Sequence, residues 1–122
     1  DLYENMALVD TLLHAGADVN ASSRGDGNAL IIAVQRRNLK LAQQLVQAGA
    51  DVNAVVLADE TALINASYLG DLQMVQYLVS VGANVNLKVE ATLMDGRELR
   101  SALNRASTEE IRTYLRQQGA SL

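Results

Sequence analysis

The chain has 122 residues, room for one domain with a sizeable core, and 49% of them are hydrophobic. A formal charge of −4 argues against nucleic acid as a partner, because phosphate binding needs a basic face. No apolar run approaches the ~20 residues of a membrane helix, no signal-peptide pattern opens the chain, and without Cys neither a disulfide framework nor a thiolate metal site can form.

With four Tyr and no Phe or Trp, the core is left to Ala, Leu and Val, which suits closely stacked helices. In chain order, the first helical stripe is Met6, Val9, Leu12 and Leu13, with Asn5 able to cap it and Gly16 to end it. A shorter helix is expected over about Ala29–Arg36, begun by Asn28. The next stripe is Leu39, Leu41, Leu45 and Val46, capped by Asn38 and ended by Gly49. The same pair then recurs: Ala62–Leu69 behind Thr61, and Leu72, Val75, Leu78 and Val79 behind Asp71, ended by Gly82. A last short helix runs over about Ala102–Ala106 behind Ser101. Ser107 and Glu110 then form a capping-box pattern that restarts a helix ending at Gly119.

Between the last two pairs lies a longer connection. Asn20 to Asn28 and Asn53 to Thr61 each span eight residues, whereas Asn86 to Ser101 spans fifteen. Within it Val85, Leu87, Val89, Ala91 and Leu93 alternate with Asn86, Lys88, Glu90 and Thr92, the period of a strand. Asp95-Gly96 reads as a hairpin turn, with Arg97-Glu98-Leu99 returning as the partner strand. Such a hairpin either grips a partner or folds over the last repeat as a lid.

The glycines carry the larger pattern. Gly16, Gly49 and Gly82 are 33 residues apart and Gly119 follows after 37, each inside a recurring phrase: LLHAGADVNA, LVQAGADVNA, LVSVGANVNL and YLRQQGASL. A fixed period of this kind means stacked copies of one unit, each burying its apolar face on its neighbours. The chain resembles the ankyrin repeat family over essentially its whole length. The GADVNA phrases at Gly16–Ala21 and Gly49–Ala54 match the family's repeat end, and Asn28-Ala-Leu-Ile-Ile-Ala33 and Thr61-Ala-Leu-Ile-Asn-Ala66 match its TPLHxA helix opening. Departures are Ala29, Ala62 and Ala102 for the usual Pro, and Ile31, Ile64 and Asn104 for the usual His. Ala keeps high helix propensity at those positions, so the loss of Pro is tolerable.

The resemblance implies an all-α fold: a solenoid of antiparallel helix pairs joined by β-hairpin-like fingers. The expected organisation is a single repeat domain over 1–122, with repeats at 1–21, 22–54, 55–87 and 88–122. By the 33-residue phase the first helix of repeat one precedes Asp1, so the chain reads as a segment of a longer protein.

Chemistry is sparse. His14 stands near a helix end with no second His and no Cys to share a metal. Asp18, Asp51 and Asn84 recur one per repeat and read as structural hydrogen-bonding groups. Gly25-Asp26-Gly27 is too short for a phosphate loop. Of the two glycosylation sequons, Asn20-Ala-Ser22 and Asn65-Ala-Ser67, the second falls inside a helix. No Ser/His/Asp or Cys/His set can assemble, so no enzyme activity, metal or cofactor is expected.

What remains is recognition. Members of the resembled family bind proteins with their fingers and the inner face of the first helices. Carried over by phase, that surface comprises Arg24, Gly27, Gln35 and Arg36, then Val55, Leu57, Glu60, Tyr68 and Leu69, bordered by Lys88, Glu90 and Arg97 of the long finger. Val55-Val-Leu-Ala58 is unusually apolar for a finger; with Tyr68 and Leu69 it makes a candidate exposed patch with an aromatic anchor. The alternative is that Val56 and Leu57 tuck between fingers. The leading expectation is a monomeric, cytoplasmic interaction module that holds a protein or peptide across its concave face, with no nucleic acid and no membrane insertion. A second is a regulatory or structural appendage of a larger enzyme. The phrases Asp59-Glu-Thr-Ala-Leu-Ile-Asn-Ala66 and Arg100-Ser-Ala-Leu103 are similar to repeats fused to bacterial membrane metallopeptidases of the antibiotic-sensor type, which would place the chain in the periplasm. In a third, Asn20, Asn53 and Asn86, each eight residues after a Leu, resemble the pattern that asparaginyl hydroxylases recognise in animal ankyrin proteins.

Overall fold

The computed structural model describes residues 16, 18–23, 27–56, 58, 60–94 and 96–121. The helix expected over Met6–Leu13, its expected cap Asn5, and His14 lie outside them. Three helix pairs follow one another: α1 (Ala29–Gln35) with α2 (Leu39–Gln47), α3 (Ala62–Leu69) with α4 (Leu72–Ser80), and α5 (Ala102–Arg105) with α6 (Glu109–Gln117). A small antiparallel pairing, β1 (Ser22–Ser23) with β2 (Gly27–Asn28), precedes α1, and a longer hairpin, β3 (Val89–Leu93) with β4 (Gly96–Arg100), precedes α5.

Local chemistry sets the helix boundaries. The side chains of Asn28, Asn38, Thr61, Asp71 and Ser101 each accept from the backbone N–H three residues on, as expected of N-caps. Gly49, Gly82 and Gly119 sit at φ 101°, 103° and 96°, the left-handed region that ends a helix without penalty only for glycine. One expected cap is corrected. The last helix starts behind Thr108, whose Oγ1 accepts from the Ile111 N–H at 3.2 Å, and not behind Ser107. The reason is phase. Thr108 stands 37 residues after Asp71, as Gly119 stands after Gly82, while Ser107 matches Gly70. The Ser107 N–H instead donates to the Ser67 carbonyl at 3.1 Å and ties the last pair to the one before it. A capping box does exist one helix earlier, where Ser101 and Asn104 bond reciprocally.

One continuous core runs from Leu30 to Ala120. Its larger members, among them Ile31, Leu45, Met74, Leu78, Ile111 and Leu115, are almost wholly enclosed. Ala33, Ala42 and Ala66 are completely buried; these small side chains let helices approach closely. The first helices stack in series, α1 on α3 and α3 on α5, and each packs on its own partner behind. The face lined by α1, α3 and α5 is therefore the inner face of the stack.

A ladder of asparagines ties successive units together. The Asn20 Nδ2 donates to the Gly49 carbonyl at 3.2 Å and its Oδ1 accepts from the Asp51 N–H at 2.7 Å. Asn53 repeats this with Gly82 and Asn84, and Asn86 with Gly119 and Ser121. Within each turn Asp18, Asp51 and Asn84 accept from the N–H two residues on, the structural role expected of them.

The long finger folds as a hairpin, with its turn one residue earlier than expected. Leu93 pairs with Gly96, so Gly96 belongs to the return strand, at φ 146°, and not to the turn. Pairing Val89 with Arg100 and Glu90 with Leu99 sets that register, which the Asp-Gly dipeptide alone does not.

Candidate partner-binding surface

Two layers build the inner face: the solvent side of α1, α3 and α5, and the fingers in front of them. On α1, Gln35 is exposed and its Nε2 lies 3.4 Å from the Asn65 Oδ1 of α3. Arg36, the C-cap residue, is exposed beside it. On α3, Tyr68 is 56% exposed despite its size, whereas Leu69 is half-buried against the core. The Leu69 carbonyl accepts from Arg37 Nη2 at 2.6 Å. Arg37 occupies the phase of Gly70 and takes φ 56°, a left-handed conformation that a non-glycine residue seldom adopts; this bond is one contact that holds it there.

The middle finger is less apolar on its surface than its sequence suggests. Val55 is 54% exposed, but Val56 is only 5% exposed and belongs to the core. Val56 and Glu60 exchange two backbone hydrogen bonds of 2.9 Å, and this bridge points successive side chains to opposite sides. The run Val55–Ala58 is thus not a continuous exposed patch. Gly27, expected on this surface, is buried in β2 instead, and Arg24 and Leu57, also expected there, lie outside the described residues.

Four charged residues of the long finger, Glu90, Arg97, Glu98 and Arg100, pair among themselves. Arg97 Nη1 meets Glu90 Oε1 at 3.1 Å across the outer side of the hairpin, and Lys88 is exposed at its base. Glu60 is taken up by Arg100, whose Nη1 lies 2.7 Å from Glu60 Oε1 and whose Nε lies 3.2 Å from Glu98 Oε2. The hydrogen bond that Arg100 donates to Glu60, with smaller help from Glu98 and against the cost of desolvation, raises the pKa of Arg100 above its ordinary value. Both side chains of the Glu60–Arg100 pair are mostly covered, so the pair pins the hairpin to the finger before it. The Asn104 Nδ2 adds a second tie, donating to the Leu99 carbonyl at 2.8 Å.

Arg105 completes the face. Its guanidinium carbon lies 4.5 Å from the centroid of the Tyr68 ring, a cation–π stack between α5 and α3. The structure therefore gathers Gln35, Arg36, Tyr68 and Leu69 on the inner helices. It leaves Glu90 and Arg97 paired on the hairpin and gives Glu60 a structural partner. Phase reasoning about repeats two and three does not reach Arg100 and Arg105. The available signal was positional: Arg105 stands four residues after its cap Ser101, as Asn65 does after Thr61.

Among the described residues no group of His, Cys, Asp or Glu is arranged to hold a metal, and no helix is long and apolar enough to cross a membrane. A family model described as ankyrin repeats (three copies) matches residues 2–89, ending where the long hairpin begins. No curated protein matches the chain.

Proposed function

The chain belongs to the ankyrin repeat family, and we propose that it holds a protein or peptide partner across the inner face of α1, α3 and α5 and the fingers beside them. Ankyrin repeats are generally protein–protein interaction modules and generally non-catalytic. The observation that carries the finer reading is Tyr68. A large aromatic more than half exposed on a helix otherwise packed into the core is the kind of side chain that anchors interfaces. Exposed Val55 and half-buried Leu69 extend its apolar surface, and Arg36 and Lys88 supply basic flanks. Rigid presentation is the mechanism. Helices already stacked and caps already made lose little entropy on binding, so a modest anchor suffices.

The test is capture from a lysate of the source organism by the immobilised chain, compared with a Val55→Glu/Tyr68→Glu variant. Both positions are more than half exposed, so the variant is expected to fold. A protein retained by the native chain and lost from the variant supports the inner face as the site. Equal retention moves the site off this face and overturns the reading.

A further inference from the structure

The arginines of this chain differ in what answers their charge. Arg97 is paired with Glu90, Arg100 with Glu60 and Glu98, and Arg112 and Arg116 with Glu109. Arg105 has no acid. It forms no ion pair among the described residues, and its Nε is buried with no hydrogen-bond partner. Yet it is held in place, stacked on the ring of exposed Tyr68. A guanidinium offers five N–H donors in a planar fork that fits a carboxylate, and one drawn partly out of water without an acceptor is in an unfavourable state. Stacking fixes the plane of the fork, so less freedom is lost when an acid arrives. On the same face Arg36 also lacks an acid among the described residues, while the carboxylates of Glu60 and Glu98 are already engaged by Arg100. Among the described residues the inner face thus carries two guanidinium groups without an acid, one of them beside exposed Tyr68, on a chain whose formal charge is −4.

Resting on the interaction reading above, we propose that the occupant of this face is an acidic extended peptide of a partner protein. One side-chain carboxylate pairs with the two Nη groups of Arg105, its Nε being enclosed, and a neighbouring apolar side chain lies against Tyr68 and Val55. Tyr68 serves two ends, holding the arginine and floor for the apolar residue. Arg105 then sets specificity: it rewards an acid and leaves an unanswered charge against a partner without one.

Selection of short random displayed peptides on the full chain tests this. Peptides carrying Asp or Glu beside an aliphatic or aromatic residue are expected to enrich, and to bind more weakly as salt rises. Against Arg105→Gln the preference for the acid is expected to vanish, with the best peptide losing about tenfold or more in affinity. The same peptide with its acid changed to the amide is expected to bind both chains alike. Arg105→Lys keeps the charge without the fork and retains the acid preference at lower affinity. A thermal melt of each variant verifies the repeat stack. Enrichment of peptides with no acid preference, or a preference unchanged by Arg105→Gln, overturns the acid assignment while leaving the interaction reading intact. Selected peptides that bind Val55→Glu/Tyr68→Glu as well as the native chain overturn both.

Discussion

The pair α3–α4 and the pair α5–α6 share one register but present opposite surfaces. Ile64 of α3 is 1% exposed and Val75 of α4 is fully buried. At the same distances from their caps, the last pair carries Asn104, which is exposed, and Arg112, which is partly exposed. Leu72 and Val79, half-buried against the core, correspond to Glu109 and Arg116, which are exposed and bonded to Arg112 or to each other. The inward positions do not change: Met74 and Leu78 correspond to Ile111 and Leu115, all at 0% exposure. A repeat therefore has two separable apolar demands. One closes the unit on its own partner helix and on the unit before it; the other receives the unit after it, and the last described pair has exchanged that one for charge. The Asn104 side chain, freed from the inter-repeat core, is spent on the capping box and on the hairpin.

Swapping those surfaces should give the largest effect. Val75→Arg places an unpaired charge in the core and is expected to cost about 3–5 kcal/mol, while Arg112→Val is expected to change stability by less than about 1 kcal/mol. Urea unfolding of the two variants measures this; equal costs would mean that the two pairs are not built differently. The ladder gives an intermediate effect. Asn53→Ala removes both bonds from the middle finger to the next turn, at an expected cost of about 1–2 kcal/mol. Asn86→Ala removes the same pair one unit later, where less structure depends on it, and is expected to cost less in the same assay. The smallest effect sharpens the boundary of the last pair. Thr108→Ala is expected to cost about 1 kcal/mol as the loss of an N-cap, whereas Ser107→Ala stays within about 0.5 kcal/mol. A reversed order would restore Ser107 as the cap.

Much of the fold was legible because its signals are local. An apolar stripe, a capping side chain and a left-handed glycine each act within a few residues, so α1 to α4 lie where the spacing places them. The alternation Val85 to Ala91 also appears as alternating burial. The errors arose where a local rule met a pairing made elsewhere. The hairpin turn moved from Asp95-Gly96 because strand register outranks a turn dipeptide, and the cap moved from Ser107 to Thr108 because Ser107 is engaged with Ser67 of the previous pair. Val56 turned inward because it bridges Glu60, although its neighbours suggested an exposed run.

The candidate site was legible only in outline. Tyr68 stood out as an aromatic at an inner-face phase, but its arginine is 37 residues away and the Glu60–Arg100 pair joins residues 40 apart. By itself the sequence determined the repeat, the order of helices and fingers, and which side of each helix is apolar, since these follow from periodicity and from side chains acting on nearby backbone. Only the tertiary structure decided which acid each paired arginine meets, which apolar finger residue is buried, and which guanidinium groups meet no acid among the described residues. Those outcomes depend on how units stack, and neither the repeat period nor the residue types specify the distance between side chains that stacking brings together.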